Sequence, residues 1–428
     1  MNLVEGKILD VKECDAVLDS LNERILAALS KPRLSADIVI AACDKLISAL
    51  GEDNYLPILA ELNIPEKLGK IYFAEARAMF SGEALKYRMK KELGEGYNQV
   101  FTHMPAPDSP PLAEQILPLG VLLHIAAGNA DGLPAFSVLE GLLTGNINIL
   151  KLPAAEGGMS VRILYELIQI EPLLAEYIYV FDYSSKDVVH INKLIAVADG
   201  VVVWGGIEPV SAFRSLLPTN TKLIEWGHKV SFAYVTKDGM EDDKLCGVAT
   251  NIAATGQLLC SSAQGIFIDT DDMEEVYAFC NRFLPLLERA VAEHAGDMSI
   301  DIGVQRALQL YSMELETVFT GNRIFKGNNC SLVACDNQVL EPAFGFFNVW
   351  VKALPRRNLL ETLRPYKNYL QTVALICDDK EKEIIADCLL KTGVVRVCSG
   401  ERMSANYTGA PHDGEFSLRR YTKIASVE

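Results

Sequence analysis

The 428-residue sequence predicts an α/β protein with two α/β domains behind a helical front, and three observations carry that expectation. Between residues 115 and 237 short apolar runs alternate with helical periodicity, a second stretch of the same kind runs from about 240 to 397, and the first hundred residues show helical spacing.

Helical periodicity at residues 16–30, 35–50 and 65–93, with Ser35 as an N-cap, makes residues 1–112 a helical layer packed on the first of the two domains. A Pro-rich turn segment over 104–112 closes it. Strands are then expected at 120–125, 147–150, 177–181, 201–204 and 222–224, with helices at 135–143, 160–170, 187–198 and 209–217 between them. That rhythm implies right-handed crossovers and a parallel sheet, so residues 113–239 read as a Rossmann-type domain holding a dinucleotide at its carboxyl edge. Strands at 265–268, 331–334 and 373–376, with helices at 273–290 and 304–315, make 240–398 a second α/β domain. Residues 399–428 read as a turn-rich tail.

Composition removes several classes of function. A net charge of -16, with no clustered Lys and Arg, argues against a nucleic-acid surface. The longest apolar region, 116–152, is broken by His124, Asn129, Asp131, Glu140, Asn146 and Asn148, which no membrane span tolerates together. No signal peptide is expected, because Glu5, Lys7, Asp10, Lys12 and Glu13 stand where its apolar core would lie. Ten cysteines without a C-x-x-C pair, or a histidine at ligand spacing, predict free thiols, no metal and a reducing cytoplasm.

One cysteine stands in a suggestive setting. The segment Gly256-Gln-Leu-Leu-Cys-Ser-Ser-Ala-Gln264 lies between a helical and a strand pattern, so Cys260 falls in a loop or at a helix start. A helix N-terminus would favour its thiolate, and the small residues after it leave a substrate room to approach. On spacing alone a buried structural cysteine is the plainer reading.

Distant segments change that reading, because six of them match one family in order. The run Pro118–Pro134 resembles the aldehyde dehydrogenase strand and loop that ends in the oxyanion asparagine, here Asn129, and Gly145–Pro153 resembles the next strand with its ribose-binding lysine, here Lys151. Residues 201–206 match the strand and Gly-Gly turn before a cofactor helix, and 224–231 the Glu-Leu-Gly-Gly-Lys element. Residues 257–260 match the nucleophile segment and 341–345 the Glu-x-Phe-Gly element. Within that superfamily the chain resembles the LuxC-type acyl-CoA reductases. The marks are His124-Ile-Ala-Ala-Gly-Asn129, Trp204-Gly-Gly206, Cys260-Ser-Ser-Ala-Gln264 and Pro411-His-Asp-Gly414, and the likeness covers roughly residues 115–428.

The resemblance implies an aldehyde dehydrogenase-like fold and reduction of an acyl-CoA or acyl-protein thioester to an aldehyde through an acyl-cysteine on Cys260. Asn129, with the Cys260 backbone amide, would hold the oxyanion, while Glu225 would either transfer protons or be turned away or protonated, since a hydrolytic base is unwanted in a reductase. Lys151, Trp204, Gly205, Gly206, Glu341 and Phe344 would bind the cofactor, Glu341 at the nicotinamide ribose although its spacing to Phe344 is one residue longer than in the dehydrogenases. His228 and His412 would line the site; for His412, as for His124, a satisfied structural histidine is the plainer reading. The implied donor is NADPH, with NADH left open by Glu156, whose acidic side chain would disfavour a 2'-phosphate. An acyl-protein synthetase is the implied partner and a homo-oligomer the implied assembly. Two other readings stand beside this one: an oxidative aldehyde dehydrogenase or acyl-phosphate reductase of the same fold, and a silent scaffold subunit.

Overall fold

Runs such as Val121–Ile125 and Gly200–Trp204 are apolar at nearly every position, and a strand of that kind is stable only with both faces covered, in the middle of a parallel sheet. The computed structural model, which describes residues 2–49, 56–57, 66–104, 106–107, 109–126, 132–153, 158–294, 300–345, 347–405 and 407–427, places them so. The strands are β1 Asn2–Val4, β2 Lys7–Leu9, β3 Val100–His103, β4 Leu112–Pro118, β5 Val121–Ile125, β6 Ile147–Lys151, β7 Ile178–Phe181, β8 Gly200–Trp204 and β9 Lys222–Trp226. The first sheet runs β2-β1-β7-β6-β5-β8-β9, with β5 to β9 mutually parallel. The chain steps outward from β5 to β7, then returns to lay β8 against the other side of β5. Strand order therefore reverses between β5 and β8, and the carboxyl ends of those two strands, Ile125 and Trp204, flank the crevice where such sheets bind ligands. Helices Leu133–Leu143, Met159–Ile170, Val188–Ala196 and Ile207–Leu216 make the crossovers, close to the expected positions.

The front of the chain departs from a purely helical layer. Asn2–Val4 pairs antiparallel with β7, Leu3 opposite Val180, and extends the sheet. Two expected helices are each divided: Val11–Asp19 from Leu21–Leu29 at Ser20, and Glu66–Phe80 from Gly82–Leu93 at Ser81, whose hydroxyl accepts the Ala84 N–H at 3.3 Å. The third keeps its expected cap, with Ser35 Oγ accepting from Asp37 N at 3.2 Å. A three-stranded antiparallel sheet is formed by β3, β4 and the strand Thr422–Val427, where the sequence suggested a linker and a turn-rich tail. None of its residues is fully buried, β4 being half-buried throughout and β3 exposed throughout, so hydrophobic patterning signals it only weakly.

The chain forms two compact units, residues 1–227 with 406–428, and residues 228–405. The expected division at 239/240 lies later than the observed one because Val230–Val235, β10, is an interior strand of the second sheet. That sheet adds β11 Ala263–Ile268, β12 Arg323–Lys326, β13 Ser331–Cys335, β14 Asn348–Ala353, β15 Leu370–Ile376 and β16 Arg396–Cys398 in the order β12-β13-β14-β11-β10-β15-β16, parallel except at β12. The fully buried rings of Phe232, Phe267 and Trp350 fill one of its faces. Gly265 is required beside them, since a Cβ there would fall 2.0 Å from the Trp350 ring.

Two irregularities in this sheet stand at one level. On one side of β10, residues 231 to 233 face residues 263 to 266; on the other, 230 to 232 face 370 to 373. Both neighbours of β10 thus carry an extra residue beside Ser231 and Phe232. Such bulges are uncommon between parallel strands and redirect the side chains around them.

Candidate active site

In the first unit a chain of buried hydrogen bonds ties the two strands that flank the switch point. Asn148 on β6 donates its Nδ2 to Asn146 O at 2.7 Å, which turns its Oδ1 toward His124 on β5, 3.0 Å from Nε2. His124 therefore carries its proton on Nε2, and Nδ1 accepts the Ser137 hydroxyl at 2.7 Å. Ser137 Oγ in turn accepts the Trp204 indole N–H at 3.0 Å. Complete burial pulls the His124 pKa down to about 4, so the ring is neutral and acts as a strut.

Trp204 ends β8, and Gly205 and Gly206 lead into the helix Ile207–Leu216, whose first turn is exposed. A Cβ on Gly205 would meet Pro209 Cγ at 2.9 Å, whereas Gly206 faces open space. Lys151 ends β6. It is only 3 % exposed, not a surface lysine, and its ammonium donates to Ser185 Oγ at 2.8 Å beyond the end of β7. Burial lowers its pKa, and Asp182 opposes that effect. Glu225, on β9, is half-buried; its carboxylate is held by the Arg214 guanidinium and its carbonyl accepts from Arg420 Nη1 at 3.1 Å.

Pro411-His-Asp-Gly414 lies on the same sheet edge. His412 and Glu415 exchange backbone hydrogen bonds of 2.9 and 2.8 Å around Asp413 and Gly414, at φ 50° and 83°, the mirror-image turn that Asp-Gly favours. The His412 ring packs edge-on against Trp204 at 5.1 Å and Trp226 at 4.9 Å. Asn129 and Glu156 fall outside the described residues.

The second unit holds Cys260, and holds it in a loop. The helix Asp242–Thr255 ends at Gly256 in the left-handed conformation, Gln257 follows at φ 62°, and β11 begins at Ala263. No helix starts at Cys260, so a helix N-terminus does not favour its thiolate. The loop is pinned from all sides. Gln257 Nε2 donates to Ala263 O at 3.0 Å, Leu259 N to Ser262 Oγ at 3.1 Å, and Ala263 N to Asn251 Oδ1 at 2.9 Å. Ser261 Oγ is bonded to Ser404 Oγ at 3.0 Å. Ser231, between the two bulges, accepts the Thr372 N–H at 3.0 Å and donates to the Cys260 carbonyl at 2.6 Å. Gln371, on the bulged β15, directs its Nε2 to the Cys260 sulfur at 3.3 Å.

The same loop reaches the segment 341–345. Gln264 donates to Gln257 O at 3.0 Å and accepts the Ala343 N–H at 2.9 Å, while Trp350 Nε1 donates to Glu341 O at 3.1 Å. The Glu341 carboxylate is ion-paired with Lys352, and Phe344 packs partly buried on the sheet. Hence the second unit connects Cys260, Glu341 and Phe344, the first connects Trp204 with His412, and His228 is an exposed residue at the start of the second unit.

A family model described as Acyl-CoA reductase (LuxC) matches residues 34–424. The chain belongs to the LuxC acyl-CoA reductase family. A relative of this family member, the long-chain acyl-protein thioester reductase of Photobacterium phosphoreum, is 23 % identical over 326 residues, covering 73 % of this chain and 63 % of the relative. The chain thus spans under two thirds of that relative's length. Among solved structures it is similar to the NAD-dependent aldehyde dehydrogenase from Sinorhizobium meliloti, with TM-score 0.74, 14 % identity, and 100 % and 94 % of the two chains covered. The glyceraldehyde-3-phosphate dehydrogenase GapN from Methanocaldococcus jannaschii, solved complexed with NADP, gives TM-score 0.73, 13 % identity, and 98 % and 95 % covered. At these identities the likeness establishes the fold, which is that of the aldehyde dehydrogenases.

Two polar residues of this LuxC chain escape detection by residue pattern. Ser231 ends the 224–231 element as an ordinary small residue, and Gln371 sits in an apolar strand, Leu370–Ile376, where an isolated amide reads as an interruption. The bulges that aim both toward Cys260 arise from strand register, which residue spacing does not display.

Proposed function

We propose that this chain reduces an acyl-CoA or acyl-protein thioester to the aldehyde, with the acyl group carried on Cys260. The observation that carries the reading is selective exposure: of the ten free cysteines Cys260 alone is exposed, and it is the one whose carbonyl and sulfur are both engaged by side chains. Family membership supports the same chemistry.

In this reading the Cys260 thiolate attacks the acyl carbon, the bond from that carbon to the CoA or carrier sulfur breaks, and the departing thiolate takes up a proton. Asn129 and the Cys260 amide carry the oxyanion, where the loss of one donor costs roughly 10²–10³ in rate. A reduced nicotinamide, when bound, supplies the hydride. NADPH is the proposed form and NADH the alternative. The first unit fits such a dinucleotide: the buried Lys151 ammonium suits a ribose, and the exposed first turn after Gly205 and Gly206 suits a pyrophosphate. In the second unit Glu341, with one oxygen on Lys352, keeps the other for a ribose hydroxyl. Glu225 transfers the proton in thiohemiacetal formation and collapse, and His228 and His412 line the substrate path.

The proposal extends to a cytoplasmic homo-oligomer working with an acyl-protein synthetase, a partnership that a pull-down finding none would weaken. No helix among the described residues is long and apolar enough to cross a membrane. The deciding experiment pairs wild type with Cys260→Ala, following nicotinamide absorbance with acyl-CoA and with aldehyde. Reduction should be abolished in the variant while cofactor binding survives; loss of cofactor binding, or residual reduction, overturns the assignment.

A further inference from the structure

A cysteine that accepts acyl groups near neutral pH needs something to favour its thiolate, and the usual sources are a helix N-terminus, a neighbouring cation or a metal. Among the described residues the loop around Cys260 has no helix start, and Ser231, Asn251, Gln257, Ser262, Gln264, Gln371 and Ser404, whose side chains pin it, are neutral. The carboxamide of Gln371 addresses the sulfur itself, with Nε2 3.3 Å from Sγ. Gln371 is 8 % exposed, so its amide dipole acts with little water to screen it. It sits where β15 bulges against β10, and Ser231 at that level fixes both the Thr372 N–H beside it and the carbonyl of Cys260. One serine therefore ties the backbone beside Gln371 to the backbone of Cys260.

We infer that Gln371 stabilises the thiolate of Cys260 by donating an amide N–H to sulfur, and so sets its readiness to take an acyl group. The inference rests on the reading of Cys260 as the acyl-accepting nucleophile. The hydrogen bond favours the charged form of the thiol over the neutral one, which is a weak acceptor. An amide suits this position because it supplies the donor without a charge that would also stabilise the departing thiolate.

Titratable and charged groups on the surrounding elements are His228 and Lys229 before β10, Asp242, Asp243 and Lys244 opening the preceding helix, the Glu341–Lys352 pair on the segment that Gln264 reaches, Lys367 before β15, Arg396 on β16, and Glu401 and Arg402 in the turn Gly400–Arg402. Lys229 donates to Asn368 O, and Arg396 to the carbonyls of Arg402, Met403 and Ala405. Their field is common to wild type and variants, so a comparison isolates Gln371.

The test is the pH profile of Cys260 alkylation by iodoacetamide in the full chain, read by peptide mass spectrometry. Wild-type Cys260 should titrate below the free-thiol value of about 8.5. Gln371→Met, of similar shape without a donor, should move the midpoint up by about one pH unit and slow alkylation at pH 7 about tenfold. Gln371→Glu, which places a carboxylate on the sulfur, should move it further. Cys280 and Cys330, both buried, report on folding by remaining unmodified. A Gln371→Met profile that superimposes on wild type overturns the inference. So does a wild-type midpoint at or above the free-thiol value, a result that needs no variant to fold. Incubating wild type with acyl-CoA separates the two claims: without an adduct on Cys260 the nucleophile reading fails even if the profiles shift, whereas an adduct with unmoved profiles removes Gln371 alone.

Discussion

The Lys352 ammonium, wholly buried on β14 with its nitrogen 5.1 Å from the centre of the Trp350 ring, is ion-paired with the Glu341 carboxylate. It also donates to Asn337 Oδ1 at 2.8 Å and Val339 O at 2.7 Å, so one cation fastens the whole segment that leads to Phe344. Removing one partner of a fully buried pair costs about 3–5 kcal/mol, and the 37 % exposure of Glu341 reduces that here. Lys352→Met should therefore lower stability by roughly 2 kcal/mol, a fall in Tm of several degrees, while raising the KM for the nicotinamide cofactor more than it lowers kcat. Thermal unfolding and steady-state kinetics on the same preparation check both halves; an unchanged KM would separate Lys352 from cofactor binding.

How far the sequence reveals these relationships depends on the kind of signal each leaves. Strands β5 to β9 are legible because burial on both faces demands continuous apolar runs, and their crossover helices because the period changes between them. Strand β4 and the strand Thr422–Val427 are not, since both belong to a small sheet with no fully buried position. At the site, Cys260 is found by its setting in an ordered series of matches, but Ser231 and Gln371 reach it through register shifts at two strand pairs. Lys352 leaves a misleading trace, because a lysine in a strand reads as a solvent-facing position until its three acceptors are seen.

His124 makes stability depend on acidity. Its folded pKa is about 4 against an ordinary 6.5, so between those values the unfolded chain binds the proton that the folded chain refuses. The stabilisation is present above pH 6.5 and is lost as pH falls toward 4, by on the order of 3 kcal/mol. His124→Gln should flatten this part of the acid limb, at the cost of some stability at neutral pH through the disturbed bond to Ser137. Denaturant melts of both proteins at pH 7 and pH 4.5 give the comparison; equal losses on acidification would exclude His124 as the cause.

Arg88 holds two buried carboxylates at once. Its guanidinium pairs with Glu92, 1 % exposed, at 2.5 Å and with Glu140, 3 % exposed, and it donates to Ser417 Oγ at 2.6 Å. Glu92 also accepts the Leu418 N–H at 2.9 Å, and Glu140 the Tyr421 hydroxyl at 3.3 Å, so the chain after Gly414 is fastened to these acids. Arg88→Met strands both charges and should cost about 3–5 kcal/mol. Limited proteolysis should then cut the chain between residues 414 and 422 well before the remainder, and a tail as resistant as that of wild type would contradict the arrangement.

Arg214 is ion-paired with Glu225, and on the proposed function that pair has a consequence. By the resemblance Glu225 matches the glutamate with which hydrolytic aldehyde dehydrogenases activate water, a reaction that the proposed thioester reduction would have to suppress, and its carboxylate is taken up by a guanidinium from the helix Ile207–Leu216. Both side chains are well exposed, 62 % and 39 %, so the pair contributes no more than about 1 kcal/mol to stability. Arg214→Ala should therefore leave Tm nearly unchanged and yet raise cofactor-independent release of free thiol from acyl-CoA severalfold, because the released carboxylate can serve as a base for water attacking the acyl-cysteine. Adding Glu225→Gln to that variant should return the leak to its original level. A thiol-release assay without nicotinamide follows both changes; a leak that persists in the double variant would place the water-activating base elsewhere, and no leak in Arg214→Ala would mean that the ion pair does not restrain Glu225.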